Sequence, residues 1–259
     1  MEIPNNCINC GEQLTGNFCS NCGQRRRVNR LSLKTFFEDY LSRLFGMDTN
    51  FLRTLRDLTI SPGKVGKTFV EGNRVKYIGP VGYFFLISTF FILEFSFLGV
   101  DIKEFMSATS ESFAASPKLE GEEAKLQSTL MEFVSNNFKI IGFLIIPFLA
   151  LWGKVLFRKS KLNLFEHSVN ALYVEGHMIF IQMIGLLLYK WTNVLFNQYF
   201  LFINIAYFIW SCFGFYKQKG FKTVLKGGAL YLFAYISFFL FFILVTLTGF
   251  IIYKKFIVQ

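Results

Sequence analysis

Charge is scarce in this chain: only 17% of its 259 residues are Asp, Glu, Lys or Arg, against about 25% in an ordinary soluble domain. A water-soluble globule is therefore disfavoured. The chain also lacks a Walker loop, a dinucleotide-binding fingerprint, a nucleophile elbow and an HExxH pair, so no motif names an enzyme class. No period of 20 to 50 residues recurs, which sets aside a solenoid. Cysteine is limited to four residues within the first 22 plus Cys212, a distribution that suits one metal site and a spare thiol rather than a disulfide framework. A secretory signal is not expected, because Met1 to Arg30 is polar and ends in Arg25, Arg26, Arg27 and Arg30.

What the chain has in excess is apolar surface, with 53% hydrophobic and 19% aromatic residues. Pro80 to Val100 supplies 21 almost wholly apolar positions, enough for a helix to cross a bilayer core of about 30 Å. Four more spans are expected at about 140–157, 171–189, 194–216 and 228–253. Pro147 should kink the second and Lys154 should snorkel at its end. The expected fold is an all-α polytopic membrane protein with about five transmembrane helices.

Between the first two spans, residues 101–139 carry seven acids and four lysines and read as an external loop. With that assignment, 20 Lys and Arg fall on the cytoplasmic side and 7 on the other. The bias predicts a cytoplasmic N-terminus and an external C-terminus in a bacterial inner membrane, with Lys254 and Lys255 as the main discord.

Ahead of the first span, Cys7-x-x-Cys10-Gly11 and Cys19-x-x-Cys22-Gly23 form two knuckles that could bring four thiolates to one tetrahedral zinc. Gly takes positive φ freely where each knuckle must curl back. A module of about 27 residues buries too little to fold alone, so zinc ligation of order 10 to 16 kcal/mol should supply its stability. Four thiolates leave no open coordination position, which favours a structural metal over a catalytic one. A disulfide-exchange pair would need a thioredoxin-like context that is absent.

Residues 28–79 read as cytoplasmic juxtamembrane segments. Leu33, Phe36, Phe37, Tyr40, Leu41, Leu44 and Phe45 share one face of an amphipathic helix. A second helix follows at Phe51, Leu52, Leu55 and Leu58, capped by Asp48 or Asn50. A third runs from Ser61-Pro62-Gly63, with Ser61 as cap, to Gly72. Arg74, Lys76 and Tyr77, just before Pro80, are candidates for holding anionic headgroups.

The CxxCG and FCxxCGQ start, followed by Asp48, Thr54-Leu55, Pro62-Gly63 and Gly72-Asn73-Arg74, Tyr77 and Pro80, resembles a bacterial family of membrane proteins catalogued as a domain of unknown function. The resemblance covers about the first third of the chain. It implies zinc-ribbon ligands and a membrane location, and it brings no activity, substrate or catalytic residue. Asn73 departs from it, standing where a lysine is expected.

Inside the spans, ionisable groups must be paired, hydrated or neutral. Glu94 lies near one end of the first. Glu166, Asn170, Tyr173 and His177 fall within about 60° of one another on a helix, a continuous polar stripe, with His167 and Glu175 off it. Glu166 and His177 are about 16 Å apart along the axis, too far to share one metal. The stripe suits interhelical hydrogen bonding; the competing use is a path for a transported solute, a proton or a lipid substrate. Asn197, Gln198 and Asn204 could supply partners from the fourth span.

Taken together, the residues predict a non-enzymatic membrane protein in three parts: a zinc ribbon at 1–27, juxtamembrane helices at 28–79 and a membrane domain at 80–259. Its N-terminal region would serve as a platform for a protein partner, with the bilayer's anionic headgroups as the second partner. A transporter or lipid-processing protein using the Glu166 to His177 stripe is the alternative. The basic run Arg25 to Arg27 beside a zinc ribbon raises nucleic acid as a third partner, which anionic lipid explains more simply.

Overall fold

The computed structural model describes residues 5–28, 30–32, 50–102, 105, 129, 132–192 and 197–257. The amphipathic helix expected at 33–45 and most of the loop expected at 101–139 lie outside these residues. Among the described residues the protein is all-α, and five helices are long and apolar enough to cross a membrane. Two isolated β-bridges occur among the described residues, both in the cysteine head.

Two short helices precede the spans: α1 (Asn50–Ile60) and α2 (Pro62–Val70). α1 buries Thr54 and Leu58, with Phe51 and Leu55 packed beside them. Leu52, expected from sequence on the same face, is instead 68% exposed; one step along a helix turns a side chain by about 100°. α2 opens on Pro62, whose missing N–H costs nothing in the first turn. The cap expected from Ser61 differs in kind: its side chain makes no capping hydrogen bond, and its carbonyl instead accepts from the Lys64 amide at 3.0 Å.

α3 (Pro80–Leu98) also starts on a proline and ends at Gly99, whose φ of 62° is a left-handed cap. The next span is divided at Ile145 into α4 (Phe138–Leu144) and α5 (Ile146–Leu156). Pro147 sits in the first turn of α5 and has no N–H to continue the ladder of α4, so the expected kink is a change of helix.

α6 (Leu164–Thr192) is 29 residues long and starts seven residues before the span expected from apolarity alone. The cause is a reciprocal cap. The Glu166 amide donates to Asn163 Oδ1 at 2.9 Å, and the Asn163 amide donates to Glu166 Oε2 at 2.7 Å. α7 (Asn197–Tyr216) and α8 (Phe221–Ile257) complete the chain. α8 also starts early, directly after Gly220 at a φ of 94°, so Lys222 and Lys226 occupy its first turns rather than a loop.

α6 is the hub of the bundle, touching α3, α5, α2, α7 and α1; α8 lies across α5 and α7. α2 is wedged against α7 and α6, burying Pro62, Gly63, Val65, Gly66 and Phe69. The approach of α2 to α7 is backbone on backbone. A Cβ built on Gly63 would lie 1.9 Å from the Ser211 carbonyl oxygen and 2.4 Å from the Phe215 nitrogen, and Gly214 abuts Gly63 from the other side.

Overpacking a tight contact costs about 1–3 kcal/mol, and here the obstruction is backbone that has no rotamer to adopt. Gly63→Val should therefore lower the thermal unfolding temperature of the detergent-solubilised protein, by more than Gly63→Ala. Gly79→Ala, with no atom within 4 Å of the added carbon, should change stability by less than about 0.5 kcal/mol.

Candidate metal centre and the polar groups of the bundle

The head is built from one turn used twice, twelve residues apart. The amides of Cys7 and Cys19 donate to the carbonyls of Glu12 and Gln24, and those of Gly11 and Gly23 to the carbonyls of Cys7 and Cys19. The bridges Asn6 to Gln13 and Phe18 to Arg25 repeat the same offset. Gly11 at a φ of 80° and Gly23 at 71° make the curl that an L side chain resists.

The two turns face each other so that the Sγ atoms of Cys7, Cys10, Cys19 and Cys22 all lie within 4.8 Å of one another. Cys7 to Cys22 and Cys10 to Cys19 are each 3.5 Å apart. Four thiolates around zinc, with Zn–S of about 2.3 Å, would sit about 3.8 Å apart. The spacing fits a four-coordinate metal.

The electrostatics of the cluster agree. Burial pushes the Cys7 thiol up, yet amide contacts from Cys10 and Asn9 and the Cys22 and Cys10 thiols outweigh it and bring its pKa down to about 7. The Glu12 amide pulls Cys10 down, but desolvation and the thiols of Cys19, Cys22 and Cys7 push it up to about 12. Four thiols this close cannot all ionise without a cation to offset them. A metal held here would close the two turns into one unit.

The head is seated on the bundle. Gln24, which sequence reasoning passed over, is buried, and its Nε2 donates to the carbonyl of Gly72 at 3.0 Å. Gly72 has a φ of 107° and lies against Val28. Next to it, Asn73 Nδ2 reaches the Ile8 carbonyl at 3.5 Å. Asn73, which departs from the expected lysine, thus touches the first cysteine turn.

A few residues on, Arg30 forks onto Glu166 with Nε to Oε1 at 2.8 Å and Nη2 to Oε2 at 2.9 Å. Asn163 Nδ2 donates to the Leu31 carbonyl at 2.8 Å, and Leu31 is buried. The Asn163-x-x-Glu166 spacing of a capping box was legible in the sequence. Its pairing with Arg30, 136 residues away, was not.

The stripe residues are all buried, but they do not converge. Asn170 Nδ2 donates to Ser211 Oγ at 3.2 Å and the Tyr173 hydroxyl donates to the Ile78 carbonyl. His177 has Tyr83 OH 2.8 Å from Nδ1 and Thr59 Oγ1 3.2 Å from Nε2. Of the residues off the stripe, His167 Nδ1 lies 2.9 Å from Tyr216 OH, and Glu175 Oε2 accepts from Tyr235 OH at 3.2 Å. Glu166, His167, Asn170, Tyr173, Glu175 and His177 thus each have a partner outside α6, spread over several elements.

The proposed headgroup residues are placed as follows. Arg74 is buried with its guanidinium 5.7 Å from the centre of the Phe69 ring, and Lys76 Nζ is 5.3 Å from that of Tyr77. Tyr77 is 2% exposed, and its hydroxyl donates to Asp57 Oδ2 at 2.9 Å. Thr54 Oγ1 accepts from the Ile78 amide at 3.1 Å, so the 72–79 turn is tied to α1 at two points. Burial pushes the Tyr77 phenol up, and so does Asp57. For Asp57, burial acts upward but is outweighed by Arg56 and Tyr77, which hold its carboxyl below the usual range.

A family described as a protein of unknown function (DUF3667) matches residues 48–92. The match covers α1, α2, the 72–79 turn and the first part of α3, and it stops short of the cysteine head. No curated protein and no solved structure matches the chain.

The full-length protein should bind about one equivalent of zinc, and Cys19→Ser or a strong chelator should release it and make the head sensitive to limited proteolysis. Asp57, with its folded pKa below the unfolded value of about 3.9, adds stability above that value. The contribution is lost as pH falls through the folded pKa. Asp57→Asn should therefore flatten the acid limb of a plot of unfolding temperature against pH.

Proposed function

We propose that this integral membrane protein sits in a bacterial inner membrane and presents a zinc-stapled head on the cytoplasmic side as a docking platform for a protein partner. The reading rests on how the head is held. Gln24 to Gly72 and Arg30 to Glu166 fasten it to the bundle, while Ile8 and Phe18 on its outer surface are 51% and 55% exposed. A tethered but mobile head would not need either fastening.

The sidedness rests on the charge bias and on where those charges gather. Arg30 reaches the Lys161 carbonyl, Lys217 pairs with Glu71 at 2.7 Å, and Lys226 lies over Phe157, so the basic residues collect at the end where the head is seated. That end would face anionic headgroups. The separate partners of the stripe residues support an anchoring bundle over a solute path through the stripe.

The test uses full-length protein in phosphatidylcholine and phosphatidylglycerol nanodiscs as bait for cytosolic proteins. A partner should be retained, and Phe18→Ser, Ile8→Ser or chelation should each weaken its binding about tenfold, the loss expected for one hot-spot contact. Retention unchanged by all three would remove the platform.

A further inference from the structure

Among the described residues, Glu175 is the one carboxyl on α6 that has no cation beside it. Glu166 has Arg30, whereas Glu175, eleven residues into the helix, has no ion-pair partner among the described residues. At 1.5 Å per residue it sits about 16 Å along the axis from Leu164, inside the candidate membrane span Leu164–Thr192. It is only 8% exposed. Its Oε2 accepts from Tyr235 OH at 3.2 Å, and its Oε1 is buried with no hydrogen-bond partner.

The groups around it are phenols. Tyr235 and Tyr231 on α8 have ring centres 4.4 Å apart and are the titratable groups acting on Glu175. On the other elements packed against α6, Tyr83 and Tyr207 face His177, and Tyr216 and Lys154 act on His167. A carboxylate buried in hydrocarbon with one phenol donor and no cation is costly, and a neutral acid is far less so. A proton on Oε1 removes the charge and leaves Oε2 as the acceptor for Tyr235.

We propose that Glu175 is a proton-binding site within the membrane, loaded in the packed bundle and emptied only when water reaches Oε1. Release breaks the O–H bond, the electron pair stays on Oε1 and the proton passes to that water. The carboxylate left behind draws water in beside Tyr235, so proton occupancy and the hydrogen bond that links α6 to α8 are coupled. This proposal does not depend on the platform: its site lies on the other side of the capping box from the head.

The direct reading is the infrared C=O stretch of a neutral carboxylic acid, recorded on the full-length protein in phosphatidylcholine vesicles at neutral pH. The spectrum of wild type minus Glu175→Gln should contain that band, and wild type minus Glu94→Gln, which reports the half-buried acid of α3, should not account for it. Glu175→Asp, which keeps the acid should the amide fail to fold, should move the band without removing it. A difference spectrum that shows only carboxylate stretches lost at Glu175 would overturn the proposal, as would a band unmoved in Glu175→Asp.

Discussion

A bundle surrounded by lipid has no water with which to satisfy its polar side chains, and α6 carries more of them than any other span. The bundle is arranged around meeting that demand. Glu166, His167, Asn170, Tyr173, Glu175 and His177 find their partners on the Arg30 segment, α7, the 72–79 turn, α8, α3 and α1. An interhelical hydrogen bond within a membrane contributes only about 0.6 kcal/mol on average, so none of these holds the bundle by itself. Leaving one partner unpaired costs about 1–3 kcal/mol, so each fixes where its neighbour must lie.

The same demand explains why the segments outside the spans are part of the fold. α1 and α2 are too short and too polar to cross a membrane, yet Thr59 reaches His177 and the Leu58 carbonyl accepts from Tyr207 OH at 3.0 Å. α2 is held by the glycine contact with α7. The head joins at the cytoplasm-facing end in our assignment, through Arg30 to Glu166. Arg30 itself is half-exposed, so the attraction adds only about 0.5–1 kcal/mol; the larger effect is that Glu166, once buried, needs it.

How much of this was legible in the sequence depends on distance along the chain. Apolar length found all five spans, and Pro147 marked its own break. The CxxC spacing gathered four cysteines that the fold brings within reach of one ion. Amphipathic reasoning placed α1 but put Leu52 on its buried face, because an apolar residue next to a stripe is not distinguished from one in it by composition. The polar stripe was a true helical face, yet angle alone did not say that its members would be shared among separate elements. Gln24, Tyr83, Tyr235 and Thr59 matter through contacts that are remote in sequence, and nothing local marks them. The tight contact of Gly63 with Gly214 is of the same kind.

The central claim is that the four-cysteine head and the bundle form one body, joined at Gly72 and Glu166. Hydrogen–deuterium exchange of the full-length protein in nanodiscs, with metal and after chelation, tests it most directly. If the claim holds, removing the metal speeds exchange in the head and also in residues 71–78 and 160–167, while the rest of α6 stays protected. Faster exchange confined to the head would contradict it.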